Sequence, residues 1–492
     1  MTAPFTKLSI NHIMIALEHC FSKPDGTMIL GEGDGKLRRV VMMAEIDQAR
    51  VRALIEREEK QFLKSHPRSK RVFERACKSM IGGVPMNWMI EWPGPFPIFA
   101  KKGRGSMVTD VDGHTYVDFC LGDTGAMFGH SPKATVDAAC RQMRMGITMM
   151  LPTEDSIWVG EELARRFRLP YWQIAMTATD ANRFALRMAR EATGRRKILV
   201  FNGCYHGTVD EALVRLVDGK VVPREGAMPP PVEPELTTNV IEFNDLAELE
   251  SALEPGDVAA VLMEPAMTNC GIILPKTGYL NGVREITRRT GTVWIVDETH
   301  TWCAGPGGYS AAHHLKPDMI TLGKPVAGGV PAAAFGASQE IFDKTRGNML
   351  AETTGVNGLG GTLTGNALAL AAMRATLERV ITKRAYDHMV PLAKRFNEGI
   401  EHTIQETRLP WHTVRLGTRV EYRFGTTPPT NGAEAIATKD PLLNKYVHLY
   451  DLNRRILLTP FHNMALMSPY STRRDIDLHT HVFRESVEEL MS

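Results

Sequence analysis

A lysine amine becomes a nucleophile once it loses its proton, and a lysine at the end of a buried strand can carry that amine to a bound ligand. Lys324 stands in such a place. It follows the apolar run Met319 to Leu322 and Gly323, and Ala327-Gly328-Gly329 comes next as a turn that lets backbone approach a ligand closely. Asp297 and Glu298 stand in the same relation to the run Val293 to Val296. If both runs are strands of one parallel sheet, the lysine and the carboxylates emerge on one rim. A buried carboxylate needs a partner, and a protonated pyridine nitrogen is one that keeps an electron-accepting ring cationic. Most lysines after strands are simply solvated, and Asp297 could equally cap or pair locally, so neither residue decides the matter alone.

Two further segments belong to the same rim. Thr177-Ala178-Thr179-Asp180 precedes Ala181, Phe184, Ala185, Met188 and Ala189, spaced as one face of a helix. Hydroxyls and free N–H groups at a helix start form an anion site, although the same residues also make an ordinary N-cap. Gly203-Cys204-Tyr205-His206-Gly207 follows the run Ile198 to Phe201, and Tyr205 there can stack on a flat ring or merely cover the core. Gly31, Gly33 and Gly35 have no strand before them and no helix at once behind them, which reads as a loop or hairpin rather than a phosphate loop.

A rim of this kind requires strands alternating with helices. Between residues 148 and 375 helical stretches alternate with compact apolar runs, among them Ile198 to Phe201, Val258 to Met263, Val293 to Val296, Met319 to Leu322 and Ala332 to Phe335. The alternation predicts a large α/β domain with a mostly parallel central sheet. Residues 71–147 carry Ile98 to Lys101, Met107 to Thr109 and, after an Asp112-Gly113 turn, Thr115 to Phe119, a small antiparallel element, and are read as the N-terminal part of the small domain and a linker. Residues 376–492 open helical, carry Val414 to Arg415, Val420 to Phe424 and Ile456 to Thr459 as strands, and close with a helix from Asp475, which predicts a smaller α+β domain. Residues 1–70 read as an added helical arm.

Composition narrows the partners. The 492 residues suggest two or three units, and 58 Lys plus Arg against 56 Asp plus Glu leave a net charge of +2, too little to steer nucleic acid or an anionic membrane. Ile13 to Leu17 is the only apolar run near the start, far short of the ~20 residues that span a bilayer. Seven cysteines with no C-x-x-C pair read as reduced thiols without a metal site, and the chain is expected to be cytoplasmic.

Taken in order, the pieces resemble the class III (ω-type) aminotransferases and the glutamate-1-semialdehyde aminomutases over roughly residues 75 to 490. The matching motifs include Asp110 to Asp118, Gly129-His130, Tyr205 to Gly207, Glu264-Pro265, Asp297-Glu298, Thr321 to Lys324, Gly361-Thr362 and Gly365-Asn366. The resemblance implies the aspartate-aminotransferase-like fold type I of pyridoxal 5′-phosphate enzymes. It makes Lys324 the Schiff-base lysine and proton shuttle, and places Asp297 under the ring nitrogen and Tyr205 over the ring face beside His206. Glu264 becomes the carboxylate that orients neighbouring cofactor contacts, and Thr177-Ala178-Thr179 the phosphate cradle, with alanine where the family has a central glycine. Thr362 resembles the threonine given to the phosphate across a subunit interface, which implies a homodimer with shared sites; separately, the arm before Lys70 is expected to pack on the dimer surface and to be dispensable for chemistry. The implied reaction is ping-pong transfer of an amino group from an amine or amino acid to a carbonyl acceptor. An aminomutase that keeps one substrate for both halves is the alternative, and a non-catalytic pyridoxal-phosphate-binding protein the remote one.

The chain departs from the family twice. Gly82-Gly83-Val84 is followed by Pro85-Met86-Asn87-Trp88-Met89, without the arginine that clamps a substrate carboxylate in the aminomutases. Asp297-Glu298 is followed by Thr299-His300-Thr301-Trp302, where relatives carry an apolar pair and a glycine-rich arginine segment. Asn87, Trp88, His300 and Trp302 are therefore the expected walls of a substrate pocket suited to a large apolar portion.

Overall fold

The computed structural model describes residues 27–31, 37–41, 46–350 and 357–492. Seven strands form the central sheet in the order Thr238–Ile241, Lys197–Phe201, Val258–Met263, Val293–Asp297, Met319–Leu322, Ala333–Ala337, Tyr171–Ala175. The first five run parallel, and Ala333–Ala337 runs against both of its neighbours. Val258–Met263, Val293–Asp297 and Met319–Leu322 are buried at every residue. Strands covered on both faces have no polar side to present, which is why they appear as unbroken apolar runs rather than as alternation.

Asp297 and Thr321 are register partners on adjacent parallel strands, and Glu298 N–H donates to the Thr321 carbonyl at 2.9 Å. The chain therefore leaves the sheet at Asp297-Glu298 and at Gly323-Lys324 along the same edge. The helix Ala178–Thr193 packs beneath that edge with Ala181, Phe184, Ala185, Met188 and Ala189 buried, and its N-terminus opens onto it.

Two smaller sheets flank this body. Ala100–Arg104, Met107–Asp110 and Thr115–Asp118 form an antiparallel meander that Ile456–Leu457 extends in parallel. Trp411–Leu416, Arg419–Phe424 and Met464–Leu466 form a three-stranded antiparallel sheet, and the helices Lys383–Thr407 and Arg473–Met491 pack beside it.

The N-terminal region differs from a loose helical arm. Thr27–Gly31 and Leu37–Val41 pair antiparallel, so Gly31 ends a strand, while Gly33 and Gly35 lie outside the described residues. The helix Gln48–Ser65 buries Val51, Leu54, Ile55 and Phe62. Its buried Glu58 accepts hydrogen bonds from Asn453 Nδ2 at 2.8 Å and Arg454 Nη1 at 3.1 Å. An amphipathic stripe has to be covered, and the C-terminal unit covers this one, which ties residues 48–65 into the core. Among the described residues no helix is long and apolar enough to cross a membrane.

Candidate active site

At the shared edge lies a cavity of about 340 Å³ whose walls include Thr177, Ala178, Thr179, Tyr205, Glu264, Asp297, His300 and Lys324. Residues up to 207 positions apart in the chain, Gly125 and Ala332, are brought together there because separate strands and one helix end at the same edge.

Asp297 is held from three sides. Its Oδ2 accepts from His206 Nδ1 at 2.9 Å and from Asn182 Nδ2 at 2.9 Å, and its Oδ1 accepts from Thr299 N–H at 3.0 Å. Asn182 is fixed in turn by Thr321, whose hydroxyl donates to Asn182 Oδ1 at 2.6 Å. Burial alone would raise the carboxyl, but the hydrogen bond and charge of His206 hold it well below the usual carboxylate range. Burial would likewise push the His206 imidazole down, and the bond to Asp297 reverses this, lifting it to about 10. His206 is thus a buried partner of Asp297 rather than one of the cavity's lining residues. Asn182 escaped the sequence reading, although a lone polar side chain on the buried face of the Ala178–Thr193 helix is a signal for it.

On the other wall, Lys324 Nζ lies 2.7 Å from Asp123 Oδ2 and 2.7 Å from His300 Nε2. Lys324 has φ +42, in the left-handed region, and so have Leu121 at +47, Asp123 at +47 and Thr124 at +83. Side chains avoid that region at roughly 1–2 kcal/mol each, so surrounding contacts must fix both partners of the Asp123–Lys324 pair. Behind His300, Thr124 Oγ1 and Arg419 Nη2 each lie 3.0 Å from Nδ1. Asp123, Thr124 and Arg419 carry no recognisable sequence signal, since only the fold joins a tight turn, a sheet edge and a strand of another sheet.

The opposite end of the cavity is the helix start. Thr177 caps it, its hydroxyl accepting from Asp180 N–H at 3.1 Å, while Thr179 Oγ1 accepts from Thr208 N–H at 3.0 Å. Ala178 stands where a glycine was expected, and Gly323 accommodates it: a Cβ at Gly323 would lie 2.7 Å from the Ala178 Cβ. Gly323→Ala is expected to cost about 1–3 kcal/mol through this overlap, and Ala178→Gly in the same chain to restore most of it. Thermal midpoints of the two single variants and the double variant check the coupling; additive losses would show that the two positions do not interact.

The other expected residues divide. Glu264 lines the cavity; its Oε1 accepts from Asn269 Nδ2 at 2.9 Å and from Thr268 N–H at 3.2 Å, and its Oε2 from the Thr268 hydroxyl at 2.5 Å. Trp88 is half-buried against Tyr205, with ring centres 5.3 Å apart, and against Phe461 at 4.7 Å. Asn87 is exposed and away from the cavity walls. Trp302 is not a pocket wall: it is fully buried, packs edge-on against Phe167 at 5.4 Å and donates from its indole to the Pro306 carbonyl at 3.0 Å. The short turn Thr301–Ala304 bends it into the core while His300, two residues earlier, stays at the cavity. Thr362 is exposed and lies outside the cavity of its own chain.

Residues 89–418 match the class-III aminotransferase family. The chain is 33% identical over 416 residues to a glutamate-1-semialdehyde 2,1-aminomutase of Chloroflexus aggregans, an alignment covering 81% of this chain and 92% of that protein. The solved structure of a glutamate-1-semialdehyde aminomutase from Pseudomonas aeruginosa PAO1 superposes with a TM-score of 0.88 and 51% identity, covering 90% of this chain and 99% of that one. An ω-transaminase from Sphaerobacter thermophilus superposes with a TM-score of 0.79 at 26% identity, covering 86% of this chain and 98% of that one. On the agreement of sequence, fold and cavity, the chain belongs to the class-III aminotransferase family.

Proposed function

We propose that this pyridoxal-5′-phosphate enzyme exchanges an amino group in the aminomutase manner, keeping one carbon skeleton through both halves of the reaction. The observation that carries this reading is the match along nearly the whole chain to proteins named as aminomutases. Transfer between two molecules, placed first on sequence alone, becomes the second reading. It is favoured by Met89, close to where the aminomutase arginine was expected, and by the Trp88, Tyr205 and Phe461 cluster, which suits an apolar amine.

The residues present fit the cofactor. Among the described residues Asp297 Oδ1 accepts only the Thr299 N–H, so a lone pair remains for a protonated ring nitrogen. The helix start supplies hydroxyls and N–H groups for a phosphate. When bound, the cofactor supplies an electron sink for the carbanion formed at the substrate carbon.

In this reading Lys324 holds the cofactor through Nζ and, once released, takes a proton from the substrate carbon and returns it elsewhere. Asp297, fixed by His206, Asn182 and Thr299, keeps the ring nitrogen protonated. Tyr205 covers the ring face and excludes water, Thr177, Ala178 and Thr179 receive the phosphate, and Glu264 orients neighbouring contacts. Thr362 serves the site of a second copy, which makes the working unit a homodimer, acting in the cytoplasm.

The test is dependence on an external acceptor. Purified enzyme is given glutamate 1-semialdehyde alone, and separately a panel of amines with 2-oxo acids. Steady turnover of the semialdehyde without acceptor is the expected result; turnover only where donor and acceptor are both present would replace the proposal with the second reading.

A further inference from the structure

We infer that His300, held by Arg419 and Thr124, donates its Nε2 proton to an unprotonated Lys324 amine, so that this histidine is a further catalytic residue and Arg419 the residue that positions it. Arginine has donors only, and Arg419 Nη2 lies 3.0 Å from His300 Nδ1. Nδ1 must therefore be the acceptor. Thr124 Oγ1, also 3.0 Å from Nδ1, has a hydroxyl proton that can point the same way. A neutral imidazole with Nδ1 as acceptor carries its proton on Nε2. That proton faces Lys324 Nζ at 2.7 Å, a contact that is a hydrogen bond only if Nζ offers a lone pair. A free amine has one lone pair and two N–H groups, and one N–H reaches Asp123 Oδ2 at 2.7 Å.

The charges agree with this assignment. Arg419 is fully buried, with no ion pair among the described residues; it contacts the Met464 sulfur at 2.6 Å and Thr124 Oγ1 at 2.5 Å. Its charge balances Asp123 through the intervening His300. Burial, the largest effect on it, keeps the His300 imidazole well below its ordinary value and so neutral. The ionisable groups acting on this cluster also include Asp297 on His300, and Asp123 acts on Tyr205. The left-handed backbone at Asp123, Thr124 and Lys324 is a separate sign that the cluster is held in place against local preference.

The inference rests on Lys324 being the cofactor lysine, and it states how the free amine is kept ready when the cofactor carries the amino group instead. The experiment uses enzyme loaded with pyridoxamine phosphate, in which Lys324 is uncommitted. Acetylation of Lys324 by acetic anhydride is followed by mass spectrometry at pH 8 and pH 10.5, and the ratio of the two rates cancels differences in access. His300→Phe is expected to lower the ratio of the pH 8 rate to the pH 10.5 rate about fivefold, because the amine loses the donor that favours its unprotonated form, as one pH unit of displacement would. An unchanged or higher ratio overturns the inference, since a lysine that was donating to His300 would lose its proton more readily in the variant. If His300→Phe does not fold, His300→Ala takes its place with the same expected sign.

Nitrogen-15 spectra give a second readout. His300, identified by its absence in the variant, should show a protonated Nε2 and a bare Nδ1; the opposite tautomer overturns the inference. Failure of the lysine assignment itself is seen separately, as a Lys324→Ala protein that keeps the cofactor's covalent absorption band.

Discussion

Lys324→Ala is expected to lower turnover by at least about four orders of magnitude while leaving the protein folded. On the proposed function the loss combines two roles at one atom. Among the described residues Nζ is the only lysine amine on the cavity's walls, so the covalent hold on the cofactor goes, and proton transfer at the substrate carbon loses a group whose contribution is typically 10²–10⁴-fold. Folding should survive because the Lys324 side chain is partly exposed and makes no apolar contribution to the sheet; its removal leaves Asp123 at a solvent-accessible edge, where water can replace the amine. Relief of the left-handed backbone does not follow, since alanine dislikes φ +42 as much as lysine does. Steady-state rates and the visible spectrum are the measurements. A variant that retains more than about a hundredth of the wild-type rate, or that keeps the covalent band after gel filtration, would remove Lys324 from the role given to it.

The sequence shows such a site where burial is complete. Val258–Met263 and Met319–Leu322 match their apolar runs end to end because strands covered on both faces cannot hide polar residues. Tyr171–Ala175 is harder to read: it lies at the sheet edge, half-covered, with Gln173 exposed in the middle. The edge where Asp297 and Lys324 meet is legible for the same reason as the strands, since each residue follows an apolar run directly.

The wall around His300 is not legible in this way. A bulky residue after a functional motif can face a pocket or the core, and the backbone turn decides: His300 faces the cavity and Trp302 the core, though both were read as pocket walls. Arg419 shows the limit from the other side. In Arg419–Phe424 charged and apolar residues alternate as in a half-exposed strand, yet Arg419, Glu421 and Arg423 are all buried. Their partners come from the Leu121–Thr124 turn, the His300 turn and the Cys270–Ile272 loop, contacts that periodicity cannot reveal.

Asp297→Ala should damage both the cofactor site and the apoprotein, and pH separates the two effects. In the apoprotein the substitution strips His206 of its counterion and leaves the Thr299 N–H without an acceptor, while the Asn182 amide keeps only its bond to the His206 carbonyl at 3.1 Å. Breaking a buried pair from one side costs about 3–5 kcal/mol, more than removing both partners together. The pH dependence follows from the two directions. His206 is raised to about 10 in the folded protein, so its contribution is complete below its unfolded value of about 6.5 and is lost as pH rises towards 10. Asp297 is depressed, so its contribution is complete above about 3.9 and is lost as pH falls below that value. The stability gap between wild type and variant should therefore be widest between about pH 4 and 6.5 and should narrow steadily by pH 9.5. Denaturation midpoints of apoprotein at pH 5.5, 7.5 and 9.5 measure it, and a gap that is constant across the three would mean that the pair is not ionised as described. With cofactor restored, turnover should fall by about 10²–10³-fold, the loss typical of removing one fixed group that stabilises charge in the transition state. His206→Gln, which removes the imidazolium but leaves Asn182 and Thr299 in contact with Asp297, should cost less in turnover than Asp297→Ala. The reverse order would assign the charge that matters to the histidine rather than to the carboxylate.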